Sequence, residues 1–199
     1  MRKGNKALMR ARDIVMVATM SALVVVVHLF FHVTVPLQAG TAMVILSGMA
    51  LGPKKGFAIG AMSRFVCNFY MLQGMWTPWQ MLCWGLLGML AGIFFEQSTR
   101  RAKSGRQNFK LPDRPAVMAA FSFFVTFIVY GGIINIAAMF LTASFPGEPA
   151  VSLKTLQLTY ISGIPYDLFH AVCAAAFVFL FGTGFTKRLS RIAIKYGVN

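Results

Sequence analysis

Asp167 and His170 stand three residues apart, which puts a carboxylate and an imidazole on one helix face, the pairing that general acid–base chemistry uses. No nucleophile motif accompanies them. The chain contains no GxSxG and no HExxH, so no catalytic residue is assigned, and it has no GxxxxGK[ST], so it does not bind ATP by a P-loop. Cys67, Cys83 and Cys173 form no CxxC and no Cys/His zinc spacing, which leaves them as small buried apolar groups and gives no metal site. The other polar and aromatic groups set in apolar stretches are His28, His32, Arg64, Asn68, Trp76, Trp79, Gln80, Trp84, Asn135 and Tyr166. Hydrogen-bonding amides, imidazoles and indoles of this kind suit the holding of a ligand, and nothing among them calls for a cofactor.

The elements that must position these groups are membrane helices. A chain that is 57% hydrophobic and 12% charged is not an ordinary soluble domain. Spans are expected at about 13–34, 40–52, 56–72, 78–97, 115–142 and 165–186, with outer loops at 73–80 and 143–164. The later part of the second loop, Ser152–Ser162, has the composition for a short helix on the outer face. Six spans use most of the 199 residues, so one membrane domain covers 1–199. Every span must be helical, because hydrocarbon offers the backbone no other partner. The fold class is therefore an all-α integral membrane protein with six transmembrane helices.

Orientation follows from the cations. Seventeen of nineteen Lys and Arg fall in Arg2–Arg12, Lys54-Lys55, Arg100–Arg114 and Lys187–Lys195, and the loops between have only Lys154. Anionic lipid and the membrane potential retain such stretches on the cytoplasmic side, so both termini are expected there. The net charge of +14 flanks spans instead of lining one face, which argues for topology and against nucleic acid as the partner. The apolar run Ile14–Phe31 is too long for a typical signal-peptide core and reads as a retained first span.

With that orientation and a rise of about 1.5 Å per residue, the costly polar groups share one depth. His28, His32, Arg64, Asn68, Trp76, Trp79, Gln80, Trp84, Asn135, Tyr166, Asp167 and His170 all fall in the outer half. Intramembrane ionisable groups are expensive and face a cavity or a partner. The convergence of five spans on one layer points to an outward-facing pocket, while Arg64 and Asp167 could also simply pair with each other. Small residues recur at spacing four in Ala18/Ala22, Gly48/Gly52/Gly56/Gly60 and Gly88/Gly92. Such spacing lets helix backbones approach closely. The glycine rows suit packing within the bundle, and Ala18/Ala22 suits a partner helix.

Four stretches carry a family resemblance. Gly52-Pro53-Lys54-Lys55-Gly56-Phe57, Gln73-Gly74-Met75-Trp76-Thr77-Pro78-Trp79-Gln80-Met81, Trp84-Gly85-Leu86-Leu87-Gly88 and Gly163-Ile164-Pro165-Tyr166-Asp167-Leu168-Phe169-His170-Ala171 resemble the substrate-binding S components of energy-coupling factor (ECF) vitamin transporters. Ala18 and Ala22 are similar to that family's AxxxA motif. Met75 stands where relatives often have proline. The resemblance implies an S-component-like six-helix bundle in the bacterial cell membrane. It implies partners: a transmembrane coupling component, docked on Ala18 and Ala22, and two ATPase subunits. It also implies a vitamin bound under the outer loops, with cobalamin the subgroup most similar, and delivery by toppling of the subunit in the bilayer.

Alternatives remain open at this level: an S component for another small vitamin or precursor, a stand-alone secondary carrier, or a small intramembrane enzyme using Asp167 and His170. The charge asymmetry makes its own prediction. A cysteine placed at Gln107 should resist an impermeant thiol reagent in intact cells and react once the membrane is permeabilised; labelling in intact cells would reverse the topology.

Overall fold

The computed structural model describes residues 2–34, 38–95, 114–141 and 151–198. Expectations for the 98–113 stretch and for most of the 143–151 stretch lie outside the described residues. Among the described residues the chain is all helical, with six helices and no strand. We number them α1 (Arg2–Thr34), α2 (Ala39–Leu51), α3 (Pro53–Tyr70), α4 (Thr77–Phe95), α5 and α6 (Leu153–Lys195). Helix α5 is built from Pro115–Val125, a π-helical turn Thr126–Tyr130, and Gly131–Leu141.

Four helices are long and apolar enough to cross a membrane: Ala11–Phe31 of α1, α4, Pro115–Phe140 of α5, and α6. The other two miss for different reasons. Helix α2 has 13 residues, roughly 20 Å against a hydrocarbon thickness of about 30 Å. Helix α3 has the length, 18 residues, but carries Lys54, Lys55 and Arg64. The outside of the bundle is apolar, with Ile14, Val26, Phe30, Phe124 and Leu180 all well exposed. Side chains of that size and number cannot face water in a stable monomer, so they face lipid. The protein is a membrane protein.

Helix α2 is the centre of the bundle. All 13 of its residues are buried, and it packs against α1, α3, α4 and α6. Its approach to α3 and α4 is made through backbone. A methyl group on Gly48 or Gly56 would strike the Gly88 carbonyl, one on Gly60 the Trp84 carbonyl, and one on Gly92 the backbone at Gly52-Pro53. The glycine rows thus serve packing within the chain. At the turn between α2 and α3, Gly52 takes φ 90°, a conformation that costs glycine little, and Pro53 then opens α3 with φ already suited to the first turn.

Helix α6 departs from expectation. It begins at Leu153, so the short helix expected at Ser152–Ser162 is continuous with the segment expected to span from about 165. Ser152 explains the start: its Oγ accepts from the Thr155 N–H at 3.0 Å, capping the helix. Pro165 is carried inside the helix, where it forfeits one backbone hydrogen bond. At 43 residues the helix runs roughly 65 Å, about twice the hydrocarbon thickness, so it must project beyond the membrane.

The glycine seam gives a paired prediction. Gly88→Ala should lower stability by at least about 1–3 kcal/mol, because its methyl group meets the Gly56 backbone and neither side can give way. Gly184→Ala, where an added methyl group meets nothing within 4 Å, should be neutral or mildly stabilising. Thermal unfolding of both variants in detergent checks the contrast.

Candidate functional site

Helix α3 brings Arg64 into the bundle one turn below Asn68, and both are buried. Arg64 donates from Nε to Gln80 Oε1 at 3.0 Å and from Nη1 to His28 Nε2 at 3.1 Å. A guanidinium only donates, so His28 accepts at Nε2 and carries its proton on Nδ1. The Trp84 ring lies 5.2 Å from the guanidinium carbon, and His28 meets the same indole edge-on at 5.0 Å. The cation is therefore held by a neutral amide, a neutral imidazole and an aromatic face.

Asn68 ties this group to the loop between α3 and α4. Its Nδ2 donates to Gln80 Oε1 and to Thr77 Oγ1, both at 2.9 Å. Thr77 in turn donates to Gln73 Oε1 at 3.0 Å and accepts from the Gly74 N–H at 3.3 Å. The loop is thus pinned from below. Its backbone carries a non-glycine residue at positive φ, Leu72 at 70°, of the sort that persists only where its surroundings hold it. Trp76 packs over Gly74 with about half its surface exposed, and Trp79 is half-buried in the first turn of α4.

A second group forms where α2 meets α5 and α6. Thr41 Oγ1 lies 2.8 Å from His170 Nε2. The Tyr130 ring, at the end of the π-turn, meets His170 edge-on at 4.4 Å, and Tyr166 does so at 6.0 Å. Gln38 Nε2 donates to the Tyr166 hydroxyl at 3.2 Å. His170 Nδ1 is buried with no partner among the described residues. Beside this group, Asn135 Nδ2 donates to Asp167 Oδ2 at 2.7 Å. Gly131 and Gly163 make the room: a methyl group on Gly131 would press on the Asp167 carboxylate, and one on Gly163 would strike the Asn135 amide.

The start of α2 joins the two groups. Gly40 lies directly against His28, so that a Cβ there would come within 2.7 Å of it, and the next residue, Thr41, reaches His170. The result is one linked polar layer with contributions from all six helices. It gathers His28, Arg64, Asn68, Gln80, Trp84, Asn135, Tyr166, Asp167 and His170, with Trp76 in the α3–α4 loop and Trp79 in the first turn of α4. The His32 side chain lies outside the described residues.

Two pairings open in the sequence are not formed. Arg64 and Asp167 do not pair: each is satisfied by neutral neighbours, while Lys55 pairs with Asp13 at 3.2 Å. Asp167 and His170 do not join as an acid–base couple, because Asn135 takes the first and Thr41 the second. Sequence reasoning missed Thr41, Gln73, Thr77 and Tyr130. Thr41 had a usable signal, as one of two hydroxyl side chains in the otherwise apolar α2. Ala18 and Ala22, by contrast, lie on the exposed face of α1.

The Asn135–Asp167 bond yields a double-mutant prediction. Asn135→Ala should cost about 1–3 kcal/mol by leaving a buried carboxylate without its donor. Adding Asp167→Asn should recover part of that loss, because a neutral amide tolerates the site better. Thermal unfolding of the two singles and the double measures the coupling.

Comparison with known proteins supplies the family. A UPF0397 protein from Vibrio atlanticus is 28% identical over 127 residues, covering 63% of this chain and 64% of its own length. The chain thus matches somewhat less than two thirds of that relative. No solved structure gives a significant match. The profile of the ECF-type riboflavin transporter S component matches residues 9–187, and on that near-complete coverage the chain belongs to this family.

Proposed function

We propose that the protein is the substrate-binding subunit of an ATP-driven ECF importer, taking a vitamin from outside the cell and handing it to a coupling module. The observation that carries this reading is the linked polar layer set at one end of an otherwise apolar bundle, in a chain of this family. The layer offers donors, acceptors and aromatic faces but no nucleophile and no acid–base couple, which suits binding without turnover. With the basic stretches and both termini on the cytoplasmic side, the layer lies toward the outside, and Trp76 of the α3–α4 loop with Trp79 of the first turn of α4 becomes its cap.

The partners follow from the same reading. A transmembrane coupling component docks on α1 at Ala18 and Ala22, whose small side chains are exposed and admit a close helix crossing. Two ATPase subunits supply the energy, consistent with a chain that has no P-loop.

For the ligand, two readings each have an observation. Cobalamin is favoured by the resemblance of the quoted motifs to that subgroup. Riboflavin is favoured by the description of the family. The start of α6 at Leu153 removes part of the long loop that would otherwise have argued for a large ligand.

Equilibrium binding to the purified chain separates these readings, with cobalamin and cobinamide measured beside riboflavin, thiamine and biotin. One vitamin should bind at micromolar affinity or tighter without being turned over. Trp79→Ala should weaken it by about 1–3 kcal/mol through lost aromatic burial. Ala18→Trp should leave binding intact and abolish uptake in cells that express the coupling module. Turnover of the ligand would overturn the reading, as would uptake independent of the ATPases.

A further inference from the structure

The buried Arg64 is joined to the α3–α4 loop by a chain of side chains whose hydrogen bonds run in one direction only. A guanidinium only donates, so Gln80 must present Oε1 to Arg64 Nε, at 3.0 Å. The same Oε1 accepts from Asn68 Nδ2 at 2.9 Å, which sets the NH2 group of Asn68 toward Gln80. The second hydrogen of that group goes to Thr77 Oγ1, also at 2.9 Å. Thr77 then donates its own hydrogen to Gln73 Oε1 at 3.0 Å, and Gln73 Nε2 donates to the Phe65 main-chain carbonyl at 3.3 Å. The chain begins at a group that only donates and ends at one that only accepts, so its sense is fixed at both ends.

What the chain holds is a tight turn. The Thr77 N–H donates to the Gly74 carbonyl at 3.0 Å, and the Gly74 N–H donates back to Thr77 Oγ1 at 3.3 Å. The Thr77 hydroxyl therefore donates once and accepts twice, which is all that a hydroxyl can do. Thr77 is buried, while Trp76, inside the same turn, is 45% exposed. The Trp76 ring lies over Gly74, where an added Cβ would come within 2.5 Å of the indole. Trp79 follows in the first turn of α4. The positions of both indoles thus depend on a hydroxyl whose every bond is committed.

We propose that Arg64, Gln80, Asn68 and Thr77 are positioning residues, and that Arg64 acts on the ligand at one remove. Its charge orients the chain, the chain fixes the Gly74–Thr77 turn, and the turn sets Trp76 and Trp79 in place before the ligand arrives. The assignment rests on the reading of the outer layer as a vitamin site, and it divides that layer. The Arg64 side builds an aromatic wall. The His170 side, where Nδ1 is buried with no partner among the described residues, keeps a polar atom for the ligand. A preformed wall raises affinity because the loop need not be ordered on binding. Loosening the turn lowers the competent fraction of the protein, and the apparent affinity falls with it.

The test is fluorine NMR of the full chain labelled with fluorotryptophan, whose three indoles give three resonances, with Trp76 assigned from Trp76→Phe. Without ligand, Thr77→Val should move the Trp76 resonance toward its denatured position and leave that of Trp84, in a protein that still unfolds cooperatively. Gln73→Met, at an exposed position, should do the same, and Thr77→Ser, which keeps the hydroxyl, should restore the signal. Two isosteric changes test the direction. Gln80→Glu still accepts from Arg64 and Asn68 and should keep the Trp76 resonance; Asn68→Asp can no longer donate and should lose it. For riboflavin or cobalamin, whichever the wild type binds, Thr77→Val should raise Kd roughly fivefold to tenfold, and Thr77→Ser should recover most of that loss. A Trp76 resonance indifferent to Thr77→Val and Gln73→Met would overturn the proposal, as would a shifted resonance with unchanged Kd. Equal behaviour of Gln80→Glu and Asn68→Asp would overturn the fixed direction. A wild type that binds no vitamin would overturn the vitamin reading, while the ligand-free spectra would still decide whether Arg64 holds the loop.

Discussion

Everything in this protein hangs on how closely α2 approaches α3 and α4. Helix α2 has no face left for lipid and too few residues to span hydrocarbon alone, so its position is set by its neighbours. The contacts that set it are backbone to backbone, with Gly48, Gly56 and Gly88 meeting where side chains would hold the helices apart. In hydrocarbon there is no gain from moving apolar surface out of water, and association relies on packing and on polar contacts between helices. The seam supplies the packing. It also puts the start of α2 where Gly40 touches His28 and Thr41 reaches His170, so the polar layer is assembled by the same contacts that hold the centre of the bundle.

The layer answers the problem of a buried cation without using a counter-ion. Arg64 is surrounded by Gln80, His28 and Trp84, each of which accepts or polarises without carrying a charge. Asp167 is treated likewise by Asn135. A direct ion pair would have concentrated the desolvation cost at one point and locked two helices together. Sharing each charge among neutral groups keeps hydrogen-bonding capacity at several places in the layer, and His170 Nδ1 retains its own.

Much of this was legible in the sequence, for identifiable reasons. Apolar runs, basic flanks and small-residue spacings are local signals, and they gave the helical membrane class, the glycine packing and the approximate starts of α2, α4 and α5. That Ser152–Ser162 and the segment from Pro165 form one helix was not legible, because Pro165 reads as a first-turn proline, while the Ser152 cap further upstream decides where the helix begins. That polar residues of several helices would come together was an expectation from the rise per residue, and the structure brings His28, Arg64, Asn68 and Gln80 into contact. Their partners were not legible, because rotation of one helix against another decides whether Arg64 meets Gln80 or Asp167. Tyr130 was beyond reach for a related reason: it comes to His170 at the end of a π-helical turn, and a register change inside a uniformly apolar helix leaves no trace in composition.

The separation of Arg64 from Asp167 has an electrical consequence. Moving one elementary charge through a 100 mV membrane potential involves about 2.3 kcal/mol of work. With the guanidinium and the carboxylate both ionised, the layer carries one charge of each sign held on different helices. A rearrangement that carries the whole layer through the field does no net work against the voltage. One that moves α3 without α6 does. The contributions of these two charges therefore offset each other when they cross the field together, and do not when α3 and α6 slide past one another.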